Sequence, residues 1–542
     1  MLTEIQTLRR ISIPWTVGED IKNDRQQHPA DYEKAIAETG YGLFNVLMLL
    51  AAVPVAWTCV LDTTVTTFFI QSTECDFELT LFRRGIAVGV VYIGMVIAGP
   101  LWDFVFQDVI ISCYGKRNVM IMGLILDSVC NILWAHATTY YTFILFKFLN
   151  GILIAGPLSV LMPYLSEFHA PTYQPTFAKW AGVLFSISNI LPPAISSLLI
   201  LHTSWFNLTI FNRFYATWRI YMLICTIPPA VGILTVCLMP KSPKFLLTKG
   251  EHHEALRVFK MMYSMNKFES PDSFKISTLV HQQKTSRSIR KLCTDRIESS
   301  ISNLRIALSK PYQKSFLIIL LLQFSSMVGF NTMRLWVPQF FITLNNFHSI
   351  NRPSYPPGEA ITMCEMLFPR IENIDYASCA YTAAQIESAV YFNSMIIASA
   401  TILFSSIFTF AANTRLRKVS AIIFSFLFPT VGSVVANWAI EIPWMLIFLS
   451  SIIVTMKIAA NIIATYVADV TPTMIRPTVN HSLNFVGHIG AALGPILFSV
   501  VLGASCLTAF MEIGCLSFVC YILAFFLIKK PPENDKVKIE RF

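Results

Sequence analysis

The chain has 542 residues, of which 54% are hydrophobic and only 13% charged, with a net charge of +9 and a mean hydropathy of +0.57. Soluble domains carry about a quarter charged residues, so this balance excludes a string of soluble domains and indicates one unit built in lipid. The excess Lys and Arg lie between apolar stretches, where they report topology and not nucleic-acid binding.

In chain order, residues 1–42 are polar and hold no apolar stretch of a cleavable signal, so they are expected to form a cytoplasmic N-terminal segment. Twelve apolar stretches follow: Phe44–Ile70, Ile86–Phe106, Val119–Ala137, Thr142–Leu165, Val183–Leu201, Arg219–Met239, Ser315–Ile342, Ala389–Ala411, Val419–Asn437, Trp444–Val467, Leu483–Leu502 and Leu507–Ile528. A helix needs about 20 apolar residues to cross a hydrocarbon core of about 30 Å, and each stretch is of that order. Backbone amides find no partner in lipid, so each is expected to be a helix.

The expected fold class is an all-α membrane protein with twelve transmembrane helices in two six-helix pseudo-symmetric halves. The halves are 43–239 and 314–528, the second with an exterior loop over about 346–388. A cytoplasmic linker, 240–313, joins them, and a cytoplasmic tail, 529–542, ends the chain. The linker opens on the helix stop Pro240-Lys241-Ser242-Pro243. An amphipathic helix is expected over Glu251–Met265, with Leu256, Phe259 and Met262 on one side. The Ser- and Lys-rich stretch Glu269–Ser300 is expected to be mobile.

Lys116, Arg117, Lys179, Arg415, Arg417, Lys418, Arg476 and a basic linker and tail fall on one side of this map. Arg83, Arg84, Arg213, Arg352 and Arg370 fall on the other. The positive-inside rule then puts both termini in the cytoplasm. Asn207-Leu208-Thr209 is a sequon on the outer side, so Asn207 is the expected glycosylation acceptor. Cys75, Cys364, Cys379 and Cys506 lie on or near that side, and four cysteines allow three connectivities. Cys364 with Cys379 is the preferred pair because both lie in one loop, which leaves Cys75 and Cys506 to bridge the halves; free thiols are the alternative. No His or Cys cluster has metal-ligand spacing, and neither metal nor cofactor is expected. Phosphate-cradling loops, nucleophile elbows and zinc-protease motifs are missing, so no enzyme is expected.

The map carries motifs in order: Gly40-Tyr41-Gly42-Leu43-Phe44-Asn45, Phe148-Leu149-Asn150-Gly151, Ser242-Pro243-Lys244-Phe245-Leu246-Leu247, Arg334-Leu335-Trp336-Val337-Pro338, and Asp469-Val470-Thr471-Pro472 with Arg476. With these the chain resembles the major facilitator superfamily, nearest the branch of synaptic vesicle glycoprotein 2-like proteins and organic cation transporters. The resemblance runs from about Asp31 to the last span. It implies gating roles for Gly115, Lys116, Arg117, Glu167, Asp469, Pro472 and Arg476. Departures are clear: Ser112 stands for the loop's acid, Asp108 for its first glycine, and Asn413 and Leu416 in the second-half repeat. Lys147 stands for an arginine, Lys241 for an acid, and Gln174 for the arginine that would pair with Glu167.

Ionisable residues inside spans are costly and face a partner or cavity, so they are the site candidates. Asp62 and Lys147 lie at similar depth and are expected to pair across the first half, to bind an ionic substrate, exchange a proton or hold helices together. Lys457 lies roughly 16 Å from the inner end of its span, too deep to snorkel easily. Arg334 lies near an outer end, where snorkelling or binding explains it. Asp127 is a weaker candidate, and Asp103 belongs to the inner mouth. Trp57, Trp180, Phe330, Trp336 and Phe485 could line a cavity suited to organic cations, or face lipid. Asn331 and Asn484 serve a ligand or another helix. Gly487, Gly490 and Gly494 have the spacing of close helix packing.

The expected function is secondary active or facilitative transport of a small organic ion or metabolite by alternating access, with protons as candidate coupling ion. The expected partners are membrane lipid and a small organic solute, without nucleic acid, in a monomer of the plasma or a vesicle membrane. Eroded gate motifs favour the alternative, a non-transporting transporter-like scaffold or receptor; retained buried charges favour transport.

Overall fold

The computed structural model describes residues 30–102, 107–199, 209–210, 213–214, 217–279, 289–310, 312–347, 361–367, 388–439, 442–472 and 474–528. Twelve helices among them are long and apolar enough to cross a membrane. They are α1 (Leu43–Thr73), α2 (Leu81–Pro100), α3 (Ile110–Ala135), α4 (Tyr140–Ser166), α5 (Gln174–Leu199), α6 (Thr217–Leu238), α7 (Gln313–Asn345), α8 (Ala389–Ala411), α9 (Arg415–Trp438), α10 (Pro443–Val470), α11 (Arg476–Ala504) and α12 (Cys506–Ile528). A short antiparallel pair, Thr209–Ile210 with Arg213–Phe214, precedes α6. The end of the bundle where α1 starts is termed the near face, the other the far face.

Several helices start earlier than the sequence expectation, α5 at Gln174 instead of Val183 among them. The helix Gln107–Ala135 runs through the segment expected to be a loop and bends at Gly115, whose φ is +78°. That left-handed backbone favours glycine, and a Cβ there would press on the Phe245 ring at 3.0 Å. Likewise α11 starts at Arg476, well before Leu483. Polar first turns packed on protein do not register as apolar, so periodicity in lipid marks only the membrane-embedded part.

Each half has its own core. In the first, the Phe69 ring stacks on Trp218 at 5.8 Å and meets Trp134 at 5.7 Å. In the second, Trp336 and Phe340 pack on Phe498, and Phe340 on Phe510. The halves meet where α2 lies on α11. A side chain at Gly85 would collide with Ser499, and one at Gly89 would lie 3.0 Å from Ala492 O. Small residues thus bring two backbones together without any hydrophobic drive from lipid. Gly490 and Gly494 do the same for α11 against Phe324, Val328 and Thr332 of α7.

The described parts of the linker hold more secondary structure than its composition suggests. Its amphipathic helix spans His252–Lys267. Asn266, near its end, donates to Thr39 O, Gly40 O and Asn45 Oδ1 and accepts from Phe44 N, clasping the start of α1. The stretch expected to be mobile includes buried Ile276 and Leu279 and enters a second helix, Ile289–Ala307. The signal for that helix was the spacing of Ile297, Ile301 and Leu304, which the Ser and Lys content masks.

Candidate functional site

The first half buries a polar cluster between α1, α3 and α4. Asp62 is 4% exposed, Asp127 and Asn150 0%, Asn131 5% and Lys147 1%. Asn131 donates to Asp62 Oδ1 at 3.0 Å and to Asp127 Oδ2 at 3.1 Å. Asn150 donates to Asp127 Oδ1 at 2.6 Å. These two amides tie three helices to both carboxylates, and the second oxygen of Asp62 stays free of hydrogen bonds. Lys147 does not form the direct ion pair with Asp62 that sequence suggested. Its Nζ has no hydrogen-bond acceptor and lies 4.0 Å from the centre of the Trp134 ring.

Arg334 does not snorkel. It is half-buried and joins the two halves. Its Nη1 donates to Asn189 Oδ1 of α5 at 3.0 Å, and its Nη2 to Tyr92 OH of α2 at 2.7 Å and to Asn331 Oδ1 at 3.1 Å. The Tyr92 hydroxyl in turn donates to Asn331 Oδ1 at 2.9 Å. Sequence singled out Arg334 and Asn331 but not Tyr92 or Asn189, whose neutral side chains give no signal until their partner is known.

Beside this hub lies a cleft of about 40 Å³, lined by Thr64 and Phe68 of the first half, Asn189 of α5, Phe330 and Arg334 of α7, and Thr401 of α8, among others. Phe330 has Arg334 Cζ at 5.0 Å from its centroid and Lys457 Nζ at 5.2 Å. The other aromatic candidates sit elsewhere. Trp336 is in the second core, donating to Pro495 O at 3.2 Å. Trp57 donates to Leu184 O, Trp180 packs on Phe410 at the near face, and Asn484 and Phe485 are exposed. At the far face Gln339 donates to Gln71 at 2.7 Å, another bond between the halves.

The motif residues gather at the near face, within each half. Lys116 pairs with Glu167 at 2.8 Å and also donates to Pro163 O. Lys418 pairs with Asp469 at 2.6 Å and also donates to Thr465 O. In both, lysine and acid are 51 residues apart, and the carbonyl lies four residues before the acid. The repeat therefore sets Lys418 opposite Lys116, a residue the motif comparison overlooked. Glu167 also accepts from Ser242 at 2.5 Å, so it is satisfied although Gln174 turns to Ser166 O and His169 O. Arg117 caps α6 at Val236 O and Cys237 O. Arg476 caps α10 at Ala468 O, and the turn before it closes on Pro472 O. A polar bond crosses between the halves here, Lys179 to Asn413 Oδ1 at 3.1 Å.

The cysteine expectation is corrected. Cys364 bonds to Cys506, with Cα atoms 5.6 Å apart, and both belong to the second half. Proximity in a loop was a poor guide because the helix Met363–Leu367 is pinned just past the end of α9 by Met363 N donating to Ala439 O. Cys379, Asn207 and Asp103 lie outside the described residues, as does the Cys75 side chain. Among the described residues no cluster of three or more His, Cys, Asp or Glu could hold a metal.

A family model described as "Sugar (and other) transporter" matches residues 35–350. Synaptic vesicle glycoprotein 2B of Rattus norvegicus is 27% identical over 262 residues, covering 48% of this chain and 37% of that protein. Synaptic vesicle glycoprotein 2A of the same organism is 26% identical over 246 residues, covering 45% and 32%. The chain thus matches about a third of the length of these relatives. Among solved structures, the inward-open xylose transporter XylE from E. coli superposes with a TM-score of 0.59 at 12% identity, over 91% of this chain and 98% of that one. Its partially occluded inward-open form gives 0.58 at 13% identity, over 90% and 100%.

Proposed function

Since the chain belongs to the sugar (and other) transporter family, an integral membrane family of transporters and not of enzymes, we propose that it moves a small organic solute across its membrane by alternating access. The observation that carries this reading is the Arg334 hub, where one guanidinium is held by side chains from both halves beside a cleft lined by both. Such a hub has to break and re-form when two halves rock about a midplane site. The near-face pairs support it differently. Lys116–Glu167 and Lys418–Asp469 each stay inside one half, so they keep each half rigid while it moves.

Protons are the proposed coupling ion. Asp62, Asp127 and Lys147 bring two carboxylates and one ammonium into one buried cluster. Buried charge is costly unless compensated, so neutrality calls for one proton on the carboxylate pair. The free Asp62 oxygen is the exchangeable site. In this reading both termini are cytoplasmic, which the distribution of Lys and Arg supports.

The test is uptake of labelled organic anions, cations and neutral metabolites into proteoliposomes under an imposed pH gradient, with Asp62→Asn alongside. Saturable, gradient-dependent uptake that Asp62→Asn uncouples is expected. Binding without uptake by well-folded protein would move the assignment to a non-transporting receptor or scaffold.

A further inference from the structure

Within the transport reading, and resting on it, we propose that the solute is an organic anion whose carboxylate is held between Arg334 and Lys457 at the face of Phe330. Both cations approach the same ring, so their charges are at most about 10 Å apart. Among the described residues neither has an acidic partner. Every acceptor of Arg334 is neutral: the Asn189 and Asn331 amide oxygens and the Tyr92 hydroxyl. Its Nε is buried with no acceptor at all. The contact of Lys457 among the described residues is the aromatic ring.

Two uncompensated cations in a membrane interior are each expensive, and the expense is relieved by an anion between them. Among the described residues the buried carboxylates do not supply it. Asp62 and Asp127 spend their hydrogen bonds on Asn131 and Asn150 and sit with Lys147 in the first half. The cleft also offers the Thr64 hydroxyl, 3% exposed and without a partner, as a further donor. The Arg334 Nε and the Thr64 hydroxyl lack an acceptor and, with the Lys457 ammonium, form a set of donors that is the complement of a carboxylate. A cationic solute finds the opposite: of the two phenylalanine rings lining the cleft, Phe68 and Phe330, Phe330 is already flanked by two protein cations. With about 40 Å³ free, the cleft must widen to admit any such solute, which ties binding to rearrangement of the hub.

The experiment offers an isotopically labelled whole-cell metabolite extract to proteoliposomes of the full chain, and identifies retained solutes by mass spectrometry against empty liposomes. Carboxylates are expected to be enriched, with a loss of at least about ten-fold in Lys457→Met and retention in Lys457→Arg. Enrichment of neutral or cationic solutes overturns the anionic assignment while transport stands. Carboxylate uptake indifferent to Lys457→Met overturns the site. No enrichment of any class by monodisperse protein overturns transport and the assignment together.

Discussion

Lys147→Met probes the buried cluster most sharply. Lys147 is 1% exposed, and its ammonium rests 4.0 Å from the Trp134 ring centre with no hydrogen-bond acceptor. Methionine nearly fills the vacated space, so little of the effect comes from a cavity. What is lost is a desolvated cation–π contact of about 2 kcal/mol and the only described cation of a cluster holding two carboxylates. Removing one partner of a buried charge set costs about 3–5 kcal/mol, and that range is the expected destabilisation. Asp62→Asn alone leaves one carboxylate and one ammonium in balance, so its cost is expected to be smaller. The double variant is then expected to cost at least about 1 kcal/mol less than the two single costs combined, because the groups act as a unit. Equilibrium unfolding in mixed micelles, followed by tryptophan fluorescence, measures all three. Strict additivity, or a Lys147→Met cost below about 1 kcal/mol, would refute the compensation argument.

Three further outcomes follow from the geometry. Lys116→Ala is expected to cost about 1–2 kcal/mol and Lys418→Ala less, since Asp469 is 39% exposed against 13% for Glu167; equal or reversed costs in the same unfolding assay would break the ranking. Cys364→Ser is expected to leave one additional thiol, on Cys506, available to an alkylating reagent after denaturation; no gain relative to the unreduced parent would contradict the pairing. Burial holds the imidazole of His169, which lies between α4 and α5, below its ordinary range. The unfolded chain therefore takes up a proton that the folded chain refuses. Stability from this group is complete above about pH 6.5 and declines as pH falls from there towards the lowered folded value. His169→Gln should flatten that part of the melting-temperature profile, and an unchanged slope would deny the role.

The twelve helices were legible because lipid leaves the backbone no other solution. Their polar ends were not, as at Gln107–Val119 and Arg476–Leu483, where protein and not lipid is the neighbour. Of the candidate site, Asp62, Lys147, Arg334 and Lys457 stood out because charge within an apolar span is costly. Most groups that hold them did not: Asn131, Tyr92 and Asn189 are ordinary polar residues whose role depends on three-dimensional pairing, and Asn150 stood out only as part of a motif. Lys418 was readable in principle, since it stands as far before Asp469 as Lys116 stands before Glu167. The motif spacing that matches Asn413 to Ser112 and Leu416 to Gly115 sets Arg417 opposite Lys116 instead. The disulfide was unreadable because loop proximity says nothing of how the helix Met363–Leu367 docks.

Alternating exposure of the cleft is tested most directly by Ser394→Cys, a position that lines it, in a background with exposed Cys113, Cys237 and Cys515 changed to serine. Sealed proteoliposomes are treated with a membrane-impermeant thiol reagent from one side and then from the other. Modification from both sides is predicted. A second cysteine pair at Gln71 and Gln339, oxidised to lock the far face, should abolish labelling from that side and preserve it from the near side. Labelling from a single side whether or not the far face is locked would contradict alternating access.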